Sequence, residues 1–165
     1  MPIQITTQTE SDIPELWEIE KSVMLKGTTP HVVKENEYEQ FKKDIMTQNM
    51  LVAKNEDGTV LGSLIYHYPG SAPSRQRQWL FGISVAKQAQ GQGIGKMLIH
   101  RLFELGEQNN IGKIAMRVMG ANTNAIEFYK HLGFVQEAHF KREFWVDNEW
   151  MDDYQFAYYL DAPKN

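Results

Sequence analysis

The chain has 165 residues, the size of one ordinary domain with room for a substantial core. Hydrophobic residues at 42% and charged residues at 23% exclude a disordered chain, and a formal charge of −4 excludes a general electrostatic attraction to nucleic acid. The absence of cysteine excludes disulfides, thiolate metal sites and a cysteine nucleophile, and no apolar run approaches the length of a membrane span.

Residues 1–7 carry no basic segment leading into a long apolar core, so cytoplasmic residence is the expectation. Ile3 and Ile5 alternate with polar residues as a short strand. Ser11 then precedes Ile13, Leu16, Trp17, Ile19, Glu20 and Val23 at helical spacing, and Gly27 to Pro30 break that first helix. A more polar second helix is predicted from Lys34 to Thr47, with Tyr38, Phe41, Ile45 and Met46 as its apolar face. Leu51 to Lys54 and Val60 to His67 flank Asn55-Glu56-Asp57-Gly58 and read as a β-hairpin. After a loop from Pro69 to Gln76, Gln78 to Val85 returns as a strand.

That strand feeds the sequence Gln90-Gly91-Gln92-Gly93-Ile94-Gly95, which opens an amphipathic helix from Ile94 to Gln108 whose stripe is Ile94, Met97, Leu98, Leu102 and Leu105. A glycine-rich turn at a helix N-terminus is an anion cradle, because glycine lets the backbone approach a ligand and the first-turn N–H groups have no intrahelical partners. Lys113 to Val118 follows as a strand and Asn122 to His131 as a short helix ended by Gly133. A strand from Phe134 onward pairs with Glu149 to Leu160, and Asp147 to Asp152 supply a polar hairpin turn. No repeat or long linker interrupts this order, so residues 1–165 read as one α/β domain.

Three phosphate-binding glycine patterns are separable here. A P-loop needs Gly-Lys-Ser or Gly-Lys-Thr, whereas Gly95-Lys96 is followed by Met97. A dinucleotide fold wants GxGxxG near the start of a strand–helix–strand unit, whereas Gly91, Gly93 and Gly95 are spaced GxGxG and follow at least three strands. The pattern QxxGxG, met by Gln90, Gly93 and Gly95, resembles the acetyl-CoA loop of the GNAT superfamily of N-acetyltransferases. Asn122, Ala125, Ile126, Phe128, Tyr129, Leu132, Gly133 and Phe134 resemble that family's second signature, in the right order. Phe134 to Tyr159, with Glu137, is similar to the last hairpin of many bacterial small-molecule members.

The resemblance covers nearly the whole chain. It implies a mixed, twisted sheet of about seven strands with about four helices, antiparallel in its first half and splayed in the middle. It also implies acetyl-CoA as cosubstrate, no metal, a small-molecule primary amine as acceptor, no nucleic-acid or membrane partner, and a possible homodimer through the C-terminal strands. Direct attack of the amine on the thioester, through a tetrahedral intermediate, would need no covalent enzyme species. A non-catalytic CoA-binding module of the same fold, or an enzyme acting on a protein N-terminus or lysine, are the alternatives.

Carried over residue by residue, the resemblance places the pyrophosphate on the backbone of Gly91, Gln92, Gly93, Ile94, Gly95 and Lys96, with Gln90 shaping the turn. The main chain of Ile83, Ser84 and Val85 would hold the pantetheine arm, and Asn122 would contact the cofactor. Tyr129 would protonate the departing thiolate, Ser84 would position a water, and Phe128 would be packing. Many members place a Glu on the strand before the glycine loop, but Gln78 to Val85 contains no acidic residue. Glu20, Glu137, His67 and His139 are therefore unranked candidates for the base. Trp17, Met24, Tyr66, Trp145 and Trp150 lie on elements expected to wall the acceptor site, with the Gly27 to His31 connection among them.

Overall fold

A computed structural model describes residues 2–24 and 29–161. The first strand, β1 (Gln4–Thr6), leads into a helical turn organised by Thr9, whose N–H and hydroxyl both donate to Asp12 Oδ2 at 2.8 and 3.0 Å. Helix α1 (Ile13–Val23) starts on that turn with Pro14 at its N-terminus, where proline's missing N–H costs nothing. Thr9 thus caps the 3-10 turn Glu10–Asp12, and Asp12 in turn stands at the N-cap of α1, immediately after Ser11. Of the expected break after α1, Gly27 and Thr28 lie outside the described residues.

The second predicted helix divides into a single 3-10 turn (Glu35–Glu37) and α2 (Tyr38–Ile45), and Met46 falls past its end and is exposed. Strands β2 (Asn49–Lys54) and β3 (Val60–His67) form the expected hairpin, with Asn55 Oδ1 accepting from the N–H groups of Asp57 and Thr59 to close its turn. Then follow β4 (Gln78–Val85), α3 (Ile94–Gln108), β5 (Lys113–Met119), α4 (Thr123–His131), β6 (Val135–Val146) and β7 (Glu149–Tyr159). Asp147 and Asn148 turn the last hairpin with positive φ, which their short polar side chains tolerate.

All seven strands join one sheet in the order β1-β2-β3-β4-β5-β7-β6, antiparallel everywhere except between β4 and β5. Helix α1 packs on β3, β4 and α2, and α3 packs on β2, β3 and β4. The buried stripe of α3 is Ile94, Leu98, Ile99, Leu102 and Gly106. Met97 is exposed and Ile99 takes its place, because the helix is rotated so that Met97 sits on the flank, while Leu105 is half-buried against the core. Trp17 is also core: its ring lies 5.3 Å from Tyr38 and 5.0 Å from Phe41, locking α1 to α2.

Asp12 fastens the start of α1 to the sheet through a 2.7 Å ion pair with Lys54 on β2. Burial pushes its carboxyl up, but Lys54 and the Thr9 donors outweigh this and hold it below its ordinary value of 3.8. A depressed carboxyl stabilises the fold fully above its unfolded-state pKa, and that contribution disappears as pH falls through the lower folded-state value. Asp12→Asn should therefore lower stability by about 1–3 kcal/mol at pH 7 and flatten the decline of stability on acidification below pH 3.8, measured by urea unfolding across pH. Parallel acid limbs in the two proteins would contradict the assignment.

Candidate active site

The parallel ladder between β4 and β5 is only three residues long, Gln78 to Leu80 against Lys113 to Ala115. Beyond Leu80, β4 stays paired with β3 to Val85, while β5 stays paired with β7 to Met119. The two strands consequently diverge. The edge of Phe81 to Val85 that faces the opening has no strand to pair with, and its unused backbone groups need partners from elsewhere.

A groove of about 820 Å³ runs from this opening to the glycine turn. One wall is Ile83, Ser84 and Val85, its end is formed by Gln90, Gly91, Ile94 and Gly95, and Asn122, Phe128 and Tyr129 of the α4 region stand opposite. The turn is held by side chains reaching back along it. Gln90 Nε2 donates to Val85 O at 3.2 Å, and Gln92 Nε2 donates to Gln88 O at 3.1 Å. Gly91 and Gly93 adopt φ of +79° and +81°, a conformation that side-chain-bearing residues adopt at a cost, and Gly93 caps α3.

At Gly95 the requirement is space, since a Cβ there would lie 3.1 Å from Phe128 Cζ. Phe128 thus packs over Gly95 and edge-on to Tyr129 at 5.2 Å, while part of its ring is exposed along the groove. Lys96 is exposed and Gln92, Gly93 and Lys96 lie off the groove lining, whereas Lys87, which sequence reasoning passed over, lines it.

A second cavity, of about 300 Å³, adjoins the groove and shares Met24, Ile83, Ser84, Asn122 and Tyr129 with it. Its walls include Leu16, Phe41, Ile45, Phe81 and Phe144, and its charged lining residues are Glu20, Arg117 and Asp153. Tyr129 therefore belongs to both spaces. Its ring packs edge-on to Phe81 (6.2 Å) and Phe134 (5.6 Å), and burial pushes its phenol well above the ordinary value of 10.0, so it carries its proton throughout the physiological range.

Asn122 has a structural task as well: its Oδ1 accepts from Ala125 N at 3.3 Å and caps α4. Burial raises the Glu20 carboxyl above its ordinary value of 4.5. The other carboxylate named from sequence, Glu137, lines neither space. Although partly desolvated, it is held low by Lys113 at 2.8 Å and by Gln155.

His139 is bound to Asp152 at 2.7 Å and stacked on Tyr154, and His67 is exposed at the end of β3. Among the described residues no histidine lines either space. Of the five aromatic or sulfur side chains expected around the acceptor, only Met24 lines the cavity. Tyr66 packs on Trp79 at 4.6 Å, and Trp145 and Trp150 pair with each other at the exposed end of the last hairpin.

Phe144, Arg117 and Asp153 take their place. One signal for Asp153 was available, since adjacent aspartates on a strand point to opposite faces, and Asp152 and Asp153 do so. Among the described residues no group of three or more His, Asp or Glu is placed to hold a metal ion, and no helix is long and apolar enough to cross a membrane.

The chain is 33% identical over 73 residues to a spermidine N(1)-acetyltransferase of Vibrio cholerae, a match spanning 44% of this chain and 42% of that protein. The crystal structure of smu.2055 from Streptococcus mutans superimposes with a TM-score of 0.86 at 29% identity, covering 96% of this chain and 99% of the other. A GNAT superfamily phosphinothricin acetyltransferase from Sinorhizobium meliloti, in complex with acetyl-CoA, shares the fold with a TM-score of 0.80 at 21% identity, covering 99% and 93%. The sequence profile of the Acetyltransferase (GNAT) family matches residues 13–134, most of the chain, and the chain belongs to that family.

Proposed function

We propose that residues 1–165 form one N-acetyltransferase domain that moves acetyl from acetyl-CoA to a primary amine of a small molecule. The observation that carries this reading is the shared wall. A long groove ending on a helix N-terminus and a smaller, closed-in cavity meet at Ser84 and Tyr129, as a reaction between two substrates requires.

In this arrangement the backbone N–H groups around Gly91, Ile94 and Gly95 hold the pyrophosphate, supported by the helix dipole and the Lys87 charge. The free edge of Ile83 to Val85 pairs with the amides of the pantetheine arm and delivers the thioester to the splay. The amine enters from the cavity side. A cavity of about 300 Å³ sits at the small end of small-molecule sites, which favours a compact acceptor over a folded protein surface.

An ammonium nitrogen has no lone pair, so the acceptor must lose a proton before it attacks the carbonyl. Glu20 is the carboxylate on the cavity wall whose affinity for a proton is raised by burial, and it accepts that proton directly or through a water positioned by Ser84. It supplies from α1 the base that β4 lacks. As the tetrahedral centre collapses the C–S bond breaks and Tyr129 donates its phenolic proton to the departing thiolate, while the proton that the nitrogen sheds in becoming an amide returns to the phenolate, directly or through water.

Removing the donor in Tyr129→Phe should lower kcat by about 10²-fold while leaving acetyl-CoA affinity nearly constant, read from thiol release and calorimetric titration. An unchanged rate in a reaction limited by chemistry would remove Tyr129 from the role of acid. For Glu20 the sign is set by the need for the ionised form: kcat/KM should rise with pH through a carboxyl value above 4.5 in the native protein. In Glu20→Gln that limb should vanish and the plateau fall by about 10²-fold, and a limb persisting in the variant would assign it to another group.

A further inference from the structure

Asp153 lies on β7, where it pairs with Phe140 on one side and Met119 on the other, and it is 2% exposed. Its Oδ2 accepts from Arg117 Nη1 at 2.9 Å. Its other oxygen has no donor among the described residues. That oxygen is nevertheless not sealed in, since no buried side-chain oxygen or nitrogen of the described residues lacks a partner. Asp153 lines the smaller cavity. A carboxylate oxygen there, met by no protein donor, is an acceptor that a cationic donor on a ligand can use in place of water.

Arg117 also borders the cavity, but its charge is already committed. Nη1 is bound to Asp153, Nε to Gln155 Oε1 at 3.0 Å, Glu143 stands 3.9 Å away, and the guanidinium lies 3.9 Å above the Phe140 ring. The cavity lining therefore offers an incoming molecule, besides Glu20, a second carboxylate acceptor at Asp153 and a guanidinium whose charge is already paired.

The chain shapes this wall deliberately. The β6–β7 ladder passes from Phe140↔Asp153 to Phe144↔Met151, with three intervening residues of β6 (Lys141, Arg142 and Glu143) against one of β7 (Asp152). The excess is held by Asp152, which accepts from Arg142 N at 2.9 Å and from His139 Nε2 at 2.7 Å, with Arg142 at φ +53°. Past the bulge Phe144 lines the same cavity as Asp153, so the cavity carries an apolar ring as well as a hydrogen-bond acceptor.

We infer that Asp153 determines acceptor specificity by receiving a hydrogen bond from a second, cationic nitrogen of the acceptor, so that compact diamines are preferred to monoamines and to amino acids. The inference deepens the acetyltransferase reading and rests on it for the position of the reacting amine. The apolar linker of a diamine lies against Phe144 and its neighbours, one nitrogen faces Glu20 and Tyr129, and the other faces Asp153.

The test is calorimetric titration of the protein with 1,4-diaminobutane and its homologues, the monoamines of equal chain length, and 4-aminobutanoate, with thiol release from acetyl-CoA measured in parallel. A charge-assisted hydrogen bond predicts about tenfold tighter binding of the best diamine than of its monoamine, and weakest binding of the amino acid. Asp153→Asn should abolish the preference, with its melting temperature checked because Arg117 loses a partner. Should that variant fail to fold, the wild-type comparison alone decides.

Equal affinities for diamine and monoamine, tighter binding of 4-aminobutanoate, or a preference retained in Asp153→Asn would each overturn the inference. Monoamine turnover without diamine preference would overturn it and leave the acetyltransferase reading standing. Diamine preference in binding without acetyl transfer to any amine would overturn the acetyltransferase reading, and with it the acceptor role of Asp153, and leave only a diamine-binding site.

Discussion

The separation of β4 from β5 is the constraint on which the rest of the molecule depends. Two parallel strands that begin paired at Gln78 to Leu80 and then part leave one edge of β4 unsatisfied inside the protein. Backbone N–H and C=O groups in such a place require partners, and the proposed acetyl-CoA site uses that edge in the manner of an added strand. Every other feature of the site is arranged around that opening. The α3 N-terminus ends the groove, α4 closes the opposite side, and β7 follows β5 away from β4 to floor the smaller cavity.

Electrostatics within the cleft follow from which groups have partners. Tyr129 and Glu20 are both raised by burial without a compensating charge, and these are the groups to which proton donation and proton acceptance are assigned. Asp12, Glu137 and Asp152 are carboxylates of the same kinds held low by cations or N–H donors, and they serve the frame. Asp153 stands between these classes, paired through one oxygen and open through the other. Residue type alone does not sort these groups, because the sorting variable is the set of donors that the fold brings within hydrogen-bond distance.

The long last hairpin carries a local irregularity next to the site. Its ladder is interrupted between Phe140↔Asp153 and Phe144↔Met151, where Asp152 holds the extra β6 residues through Arg142 N. Adjacent residues of a strand point to opposite faces, so Phe144 lines the cavity while its neighbour Trp145 is exposed against Trp150. Trp145 and Trp150 lie on the strands expected at the acceptor side, but they pair with each other at the exposed end of the hairpin.

Much of the molecule was legible from local pattern. The bounds of β4 and α3, the hairpin at Asn55 to Gly58 and the Gly133 stop are set by alternation, helical period and residues that suit particular backbone angles, all of which act over a few positions. The same local chemistry made the glycine turn readable as an anion cradle, and its spacing distinguished it from other phosphate loops. The face that α3 buries was less legible, since Ile99 and Met97 are equally apolar and only packing chose between them.

The acceptor side was decided by tertiary structure, because its residues come from α1, β5, β6 and β7 and share no spacing in the chain. Glu20 differs from Glu137 by what surrounds it, and Asp153 differs from Asp152 by which face of β7 it occupies. Sequence by itself determined the glycine turn at the N-terminus of α3, because that turn is one continuous stretch of backbone. The fold alone decided which side chains line the adjoining cavity and how Glu20, Asp153 and Glu137 differ, because burial and the completion of hydrogen bonds exist only once distant segments meet.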